Sequence, residues 1–262
     1  MKRTYRDLLI LAGAFGIIWL VFTFYNDFIT PGVELVPENK QVKLAQALRK
    51  LVFTEFDTLD NPIVESSIDT IVNRLRSSLD SLDDDLNIFI LDHEEVNAFA
   101  TLKGDIFIFS GLIRFAESPE MLASVLAHEI GHIVNEHYVD RLSREVGISV
   151  VFSIMTGGDP STVGELSKTL FSLTFSRDEE READEFASDL LIKAGINPAN
   201  STRFFLKLQR EEIGDFPEEM ELFMTHPDIK ERIEQTSSFK APSDFVEKPF
   251  DLDWEKVLDA LD

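Results

Sequence analysis

His128-Glu129-Ile130-Gly131-His132 sets two imidazoles four residues apart in a stretch that reads as a helix, and no other feature restricts the fold as strongly. Side chains four apart leave the same helix face one turn apart. Two nitrogens so placed can reach one zinc ion at about 2.0–2.1 Å. Glu129 lies on the flank of that stripe, where its carboxylate reaches a metal-activated water without ligating the metal. Ser118-Pro119-Glu120 opens the helix, with Ser118 as N-cap and Pro119 in the first helical position. Leu122, Val125, Leu126, Ile130 and Ile133 anchor it in a core, and the pattern runs to about Arg144. Gly131 adds little bulk beside the histidines. The plain alternative is two core histidines that only satisfy hydrogen bonds; the cap and the intervening Glu129 count against it.

A catalytic zinc takes three protein ligands and keeps one position for water. The remaining histidines are His93, His137 and His226. On a continuing helix His137 lies about 500° past His132 and is expected at the surface. No third histidine stands at the metzincin spacing, so a carboxylate is the expected third ligand. Its best source is the helix opened by Ser176-Arg177-Asp178-Glu179, which has capping-box spacing and runs to Gly195. Glu180 and Asp184 share one of its faces, and the small Ala183 allows another helix close approach. Glu179, Arg181, Glu182 and Glu185 read as a solvated, charge-laced face.

The rest of the chain narrows the class. Its 262 residues carry 25 Lys and Arg against 48 Asp and Glu, a formal charge of −23, so no nucleic-acid partner is expected. The absence of cysteine removes disulfides, thiolate zinc sites and a cysteine nucleophile. Leu8–Tyr25 has no charge and reaches about 27 Å as a helix, close to the hydrocarbon thickness of a bilayer. Lys2, Arg3 and Arg6 precede it, and Asp27, Glu34 and Glu38 follow. The positive-inside rule puts the N-terminus in the cytoplasm. A cleaved signal peptide is the competitor, but no small-x-small site follows the run. Residues 1–26 are therefore expected as cytoplasmic stub and anchor, 27–39 as linker, 40–240 as the folded domain, and 241–262 as an acidic tail with a short amphipathic helix.

Helical spacing runs over Val42–Phe56 and Ile63–Leu79, and shorter helices are expected at 198–212, 217–223 and 227–237. Asp83-Asp84-Asp85 reads as a solvated turn. Asn87–Leu91 and Asp105–Phe109 read as strands, with a third in Val96–Thr101. The fold class is α+β, mostly helical with about three strands. Gly147–Thr174 has apolar stretches around Gly157-Gly158-Asp159-Pro160 and is either a pair of core helices or a lid hinged at the glycines.

These residues resemble a family: the metallopeptidases grouped with HtpX, BepA and the Oma-type and prenyl-protein proteases (metallopeptidase family forty-eight, gluzincins). The resemblance rests on His128–His132, the Glu180-x-x-Ala183-Asp184 helix, and the segment Asn97-Ala98-Phe99-Ala100 through Gly104–Leu112. It rests also on Thr225-His226-Pro227 with Arg232-Ile233, and covers about Glu38 to Thr236. Thr101-Leu102-Lys103 departs from the small or proline residue expected there, which bears on subsite shape. The resemblance implies a zincin-like peptidase domain with one zinc ion per chain, held by His128, His132 and Glu180. It implies Glu129 as general base toward a zinc-activated water. His226 donates to the oxyanion or approaches the metal at rest, and Asp184 accepts from a ligand histidine or from Arg232. Ile106–Phe109, taken as an edge strand, would hold an extended substrate by strand addition.

The expectation is a membrane-anchored zinc metalloendopeptidase with polypeptide substrates. Its domain would be extracytoplasmic, on the periplasmic side of a bacterial inner membrane, and its role envelope protein quality control. The alternative is a chaperone-like or scaffold zinc protein that binds unfolded partners with little proteolysis.

Overall fold

The computed structural model describes residues 38–80, 86–138, 141, 174–212, 226 and 228–261. Expectations for Leu8–Tyr25, Asp83–Asp85, residues 147–173 and a helix at 217–223 lie outside the described residues. In chain order the elements are α1 (Glu38–Glu55), α2 (Pro62–Arg76), β1 (Asn87–Leu91), β2 (Ala98–Ala100), β3 (Asp105–Phe109) and α3 (Ser110–Phe115). There follow α4 (Pro119–Val134), α5 (Arg177–Lys193), α6 (Ala199–Glu212), α7 (Ile229–Ser238) and α8 (Trp254–Asp259). The described residues are thus mostly helical with one three-stranded sheet, an α+β arrangement. Among them no helix is long and apolar enough to cross a membrane.

Local chemistry accounts for the boundaries. The Asn61 side chain accepts from the backbone of Ile63, and Pro62 follows it as the first residue of α2, which buries Val64, Ile68, Ile71, Val72 and Leu75. Ser118 Oγ accepts from Met121 N at 3.1 Å at the start of α4. Ser176 and Glu179 form a reciprocal capping box at the start of α5.

The sheet order is β1-β3-β2, with β1 parallel and β2 antiparallel to β3. This corrects the expectation of an edge strand at Ile106–Phe109: β3 is central, both its edges are paired, and all five residues are buried. Strand addition has no free backbone groups to use there. The physical reason is the pairing itself: β1 takes one edge of β3 in parallel along Asn87–Leu91, and β2 takes the other antiparallel along Ala98–Ala100. On one face Phe107 stacks between Phe89 and Phe99 at 5.2 and 5.1 Å, closed by Phe53 of α1 and by Phe56 just after it. On the other face Ala98, Ala100, Ile106 and Ile108 join the main core with side chains of α2 and α4. The edge strand that packs on α4 is β2. Leu102–Gly104 is a single tight helical turn between β2 and β3, with Lys103 at φ 62° and Gly104 at φ 75°.

A second correction concerns α4, expected to reach about Arg144. It ends at Val134; Asn135 caps it, and Glu136 takes a left-handed φ of 57°. The chain turns back at that point.

The C-terminal segment packs on the core. Phe250, Trp254, Val257 and Leu261 belong to the main cluster, Trp254 Nε1 donates to Ala116 O at 2.8 Å, and Asn61 Nδ2 donates to Ala260 O at 2.8 Å.

Candidate metal centre

Helices α4 and α5 meet at Gly131 and Ala183. A Cβ on Gly131 would stand 2.9 Å from Ala183 O and 3.0 Å from Ala183 Cα, so the approach is backbone on backbone. That contact sets the His128–His132 face of α4 against the Glu180–Asp184 face of α5. His128 Nε2 and His132 Nε2 are 3.0 Å apart. Glu180 completes the convergence, with Oε2 3.5 Å from His128 Nε2 and Oε1 3.5 Å from His132 Nε2. His226 Nδ1 lies 2.9 Å from Glu180 Oε1 and 3.3 Å from His128 Nε2. One atom from each of these four buried residues falls within 4.8 Å of the others, a group able to hold a metal ion.

The charges fit a divalent ion. Glu129, Glu180 and Asp184 are buried carboxylates, and Arg232 is the buried guanidinium among them. Ligation requires neutral imidazoles; three carboxylates against one guanidinium then leave two negative charges, which a divalent cation would neutralise. Imidazole nitrogens with one carboxylate are a donor set that zinc favours. Glu129 stays off that set: its Oε1 is buried without a hydrogen-bond partner and stands 3.6 Å from His226 Nε2.

Ionisation follows from the same neighbours. Burial and the Arg232 charge lower the His128 pKa, but the carboxylates of Asp184, 2.9 Å from Nδ1, and of Glu180 win and raise it to about 9. Burial holds His132 well below the usual imidazole range, against the pull of Glu180. Burial opposes ionisation of Glu180, yet His226 and Arg232 hold it well below the usual carboxylate range. Asp184 is likewise lowered against its burial, by Arg232, whose Nε and Nη2 donate to it at 2.9 and 2.7 Å. Arg232 Nη1 also pairs with Glu180 Oε2 at 2.8 Å. Asp184 thus lies against both partners considered for it, 2.9 Å from His128 Nδ1 and paired with Arg232.

Three neighbours were not assigned to the site from the sequence. His137, expected at the surface, is 5% exposed; its Nδ1 lies 2.9 Å from His132 Nδ1 and its Nε2 3.2 Å from Glu182 Oε2. The surface expectation assumed a helix that continues, whereas the turn at Asn135–Glu136 brings His137 back. The left-handed residue at that turn is Glu136 rather than the usual Gly or Asn, so the sequence carried no local signal for it. Tyr138 follows it inward: its hydroxyl donates to Glu129 Oε2 at 2.7 Å and accepts from Ala100 N at 2.8 Å. Burial, then the Glu129 charge, raise the Tyr138 pKa well above the usual phenol value. Phe175 stacks on His132 with ring centroids 3.9 Å apart. On α5, Arg181 is exposed as expected and Glu182 exposes 63% of its side chain. Glu179 is not part of that solvated face, because it caps α5 and accepts from Arg141 at 2.7 Å.

Residues 62–240 match the profile of peptidase family M48. Over 182 residues the chain is 30% identical to the beta-barrel assembly-enhancing protease of Yersinia pestis, covering 64% of this chain and 37% of that protein. It is 31% identical over 170 residues to the metalloprotease LoiP of Escherichia coli strain K12, covering 62% of this chain and 65% of that one. It is 29% identical over 149 residues to the mitochondrial metalloendopeptidase OMA1 of Arabidopsis thaliana, covering 55% and 30% respectively. The chain therefore spans little more than a third of the length of the beta-barrel assembly-enhancing proteases it matches.

Proposed function

The chain belongs to peptidase family M48, and from that premise we propose that it is a zinc-dependent metalloendopeptidase with His128, His132 and Glu180 as ligands and Glu129 as general base. One observation carries the reading: the two histidines and Glu180 converge on one buried point with His226, while the intervening Glu129 keeps an unpartnered oxygen 3.6 Å from His226 Nε2. Zinc bound there supplies Lewis-acid polarisation of the scissile carbonyl and a lowered pKa for the attacking water. Glu129 Oε1 takes the proton from that water and returns it to the leaving amine. His226 Nε2, beside Glu129, donates to the oxyanion as charge develops. Asp184 holds the His128 ring by accepting from Nδ1, and Arg232 keeps both Asp184 and Glu180 ionised. An extended substrate lies along β2, the edge strand that packs on α4, rather than along β3.

The cellular setting is part of the same proposal. Leu8–Tyr25 anchors the chain in a membrane, 27–39 link it to the peptidase domain of 40–240, and the acidic segment after 240 packs its short amphipathic helix against that domain. The basic start keeps the N-terminus in the cytoplasm and the domain outside it. Substrates are envelope polypeptides, a reading supported by the beta-barrel assembly-enhancing proteases among its relatives. The test is casein cleavage by the purified chain in detergent. Cleavage should stop on chelation and return with stoichiometric zinc; cleavage that persists in metal-free protein would refute the reading.

A further inference from the structure

We propose that Tyr138 is a positioning residue for Glu129, holding one carboxylate oxygen so that the other alone faces the metal cluster; this rests on the reading of Glu129 as general base. Glu129 Oε2 accepts from the Tyr138 hydroxyl at 2.7 Å and from Ala100 N at 3.1 Å. Ala100 N also donates to the Tyr138 oxygen at 2.8 Å, which closes a three-membered network of strand, phenol and base. Glu129 Oε1 is left buried with no hydrogen-bond partner. A carboxylate free to rotate about its last bond would exchange the two oxygens, and either would be solvated or paired at random. Two donors fixed on Oε2 remove that freedom.

The donors come from two separate elements. Ala100 ends β2, the edge strand, and Tyr138 follows the turn whose Glu136 has φ 57°. The phenol is itself fixed, 7% exposed, with its ring 5.0 Å from Phe175 and 5.8 Å from His132. None of the four residues of the metal group donates to Oε2, so the network orients the base independently of the ligands. Turnover then depends on the phenol oxygen, while zinc binding does not.

Tyr138→Phe keeps the ring and removes only the oxygen. In the full chain the expected result is a kcat lower by about tenfold to a hundredfold, the range set by a hydrogen bond to a charged group. KM should stay within about twofold, zinc at one per chain, and the melting temperature nearly unchanged. A crystal structure of the variant should show the Glu129 carboxylate rotated, with Oε1 no longer aimed at the cluster. An unchanged kcat, with Glu129→Gln inactive alongside, would overturn the positioning role and leave the base assignment standing. A variant that loses zinc or fails to fold would show a structural role and would equally overturn it. Full activity in Glu129→Gln would instead strike at the reading of the base itself.

Discussion

Glu180 is the proposed ligand whose charge can be removed without touching the cap of the helix that carries it. Its carboxylate faces both ligand histidines, and Arg232 and His226 keep it ionised. Glu180→Gln retains size and hydrogen bonding but removes the charge. We expect zinc occupancy to fall sharply, while the fold of α5 persists because its capping box uses Ser176 and Glu179. Metal analysis after dialysis against a weak chelator reads this directly; full occupancy would mean that another carboxylate is the ligand. Much of this was legible in the sequence. Histidines four apart, and Glu180 four before Asp184, define faces whatever the tertiary fold. His137 and Tyr138 were not legible, because both depend on one left-handed residue, Glu136, in a pattern that otherwise continues as helix.

At the scale of elements, the site is the contact between α4 and α5. Gly131 and Ala183 are small because the backbones touch, so both residues serve one geometry. Gly131→Ala places a Cβ against Ala183 backbone atoms that cannot rotate away, and the helices must separate by some tenths of an ångström. We expect a stability loss of about 1–3 kcal/mol, as for other overpacked positions, together with weaker zinc binding. Chemical denaturation and zinc titration of the variant measure both; no change in either would mean that the contact does not set the site. The strands illustrate the opposite limit of sequence reading. Asn87–Leu91 and Asp105–Phe109 have nearly the same pattern, and each was found where expected. Their order was not, since a central strand is made central by partners distant in sequence. The apolar run of Ile106–Phe109 offered no clue, because the edge strand β1 carries the same pattern.

At the scale of the whole molecule, distant segments close over one core. The C-terminal residues reach α2 through Asn61 and Ala260, and α3 through Trp254 and Ala116, while Lys248 N donates to Gly195 O just after α5. The C-terminal segment therefore belongs to the same domain, and the proposed anchor would tether that domain as a unit. In a bacterial host we expect the mature chain to retain Leu8–Tyr25. Residues after Asn26 should become accessible to added protease once the outer membrane is permeabilised. A mature protein beginning near Asn26 would refute the anchor, and protection of the domain would refute the orientation.

The central claim is that one helix turn divides the labour, with His128 and His132 binding zinc and Glu129 serving the reaction without touching the metal. Glu129→Gln tests it most directly, with zinc stoichiometry and peptide hydrolysis measured on the same preparation. The expected result is one zinc per chain, as in the unmodified protein, and a rate lower by about 10²–10⁴-fold, the usual loss when a general base is removed. Hydrolysis at the unmodified rate with zinc in place would contradict it.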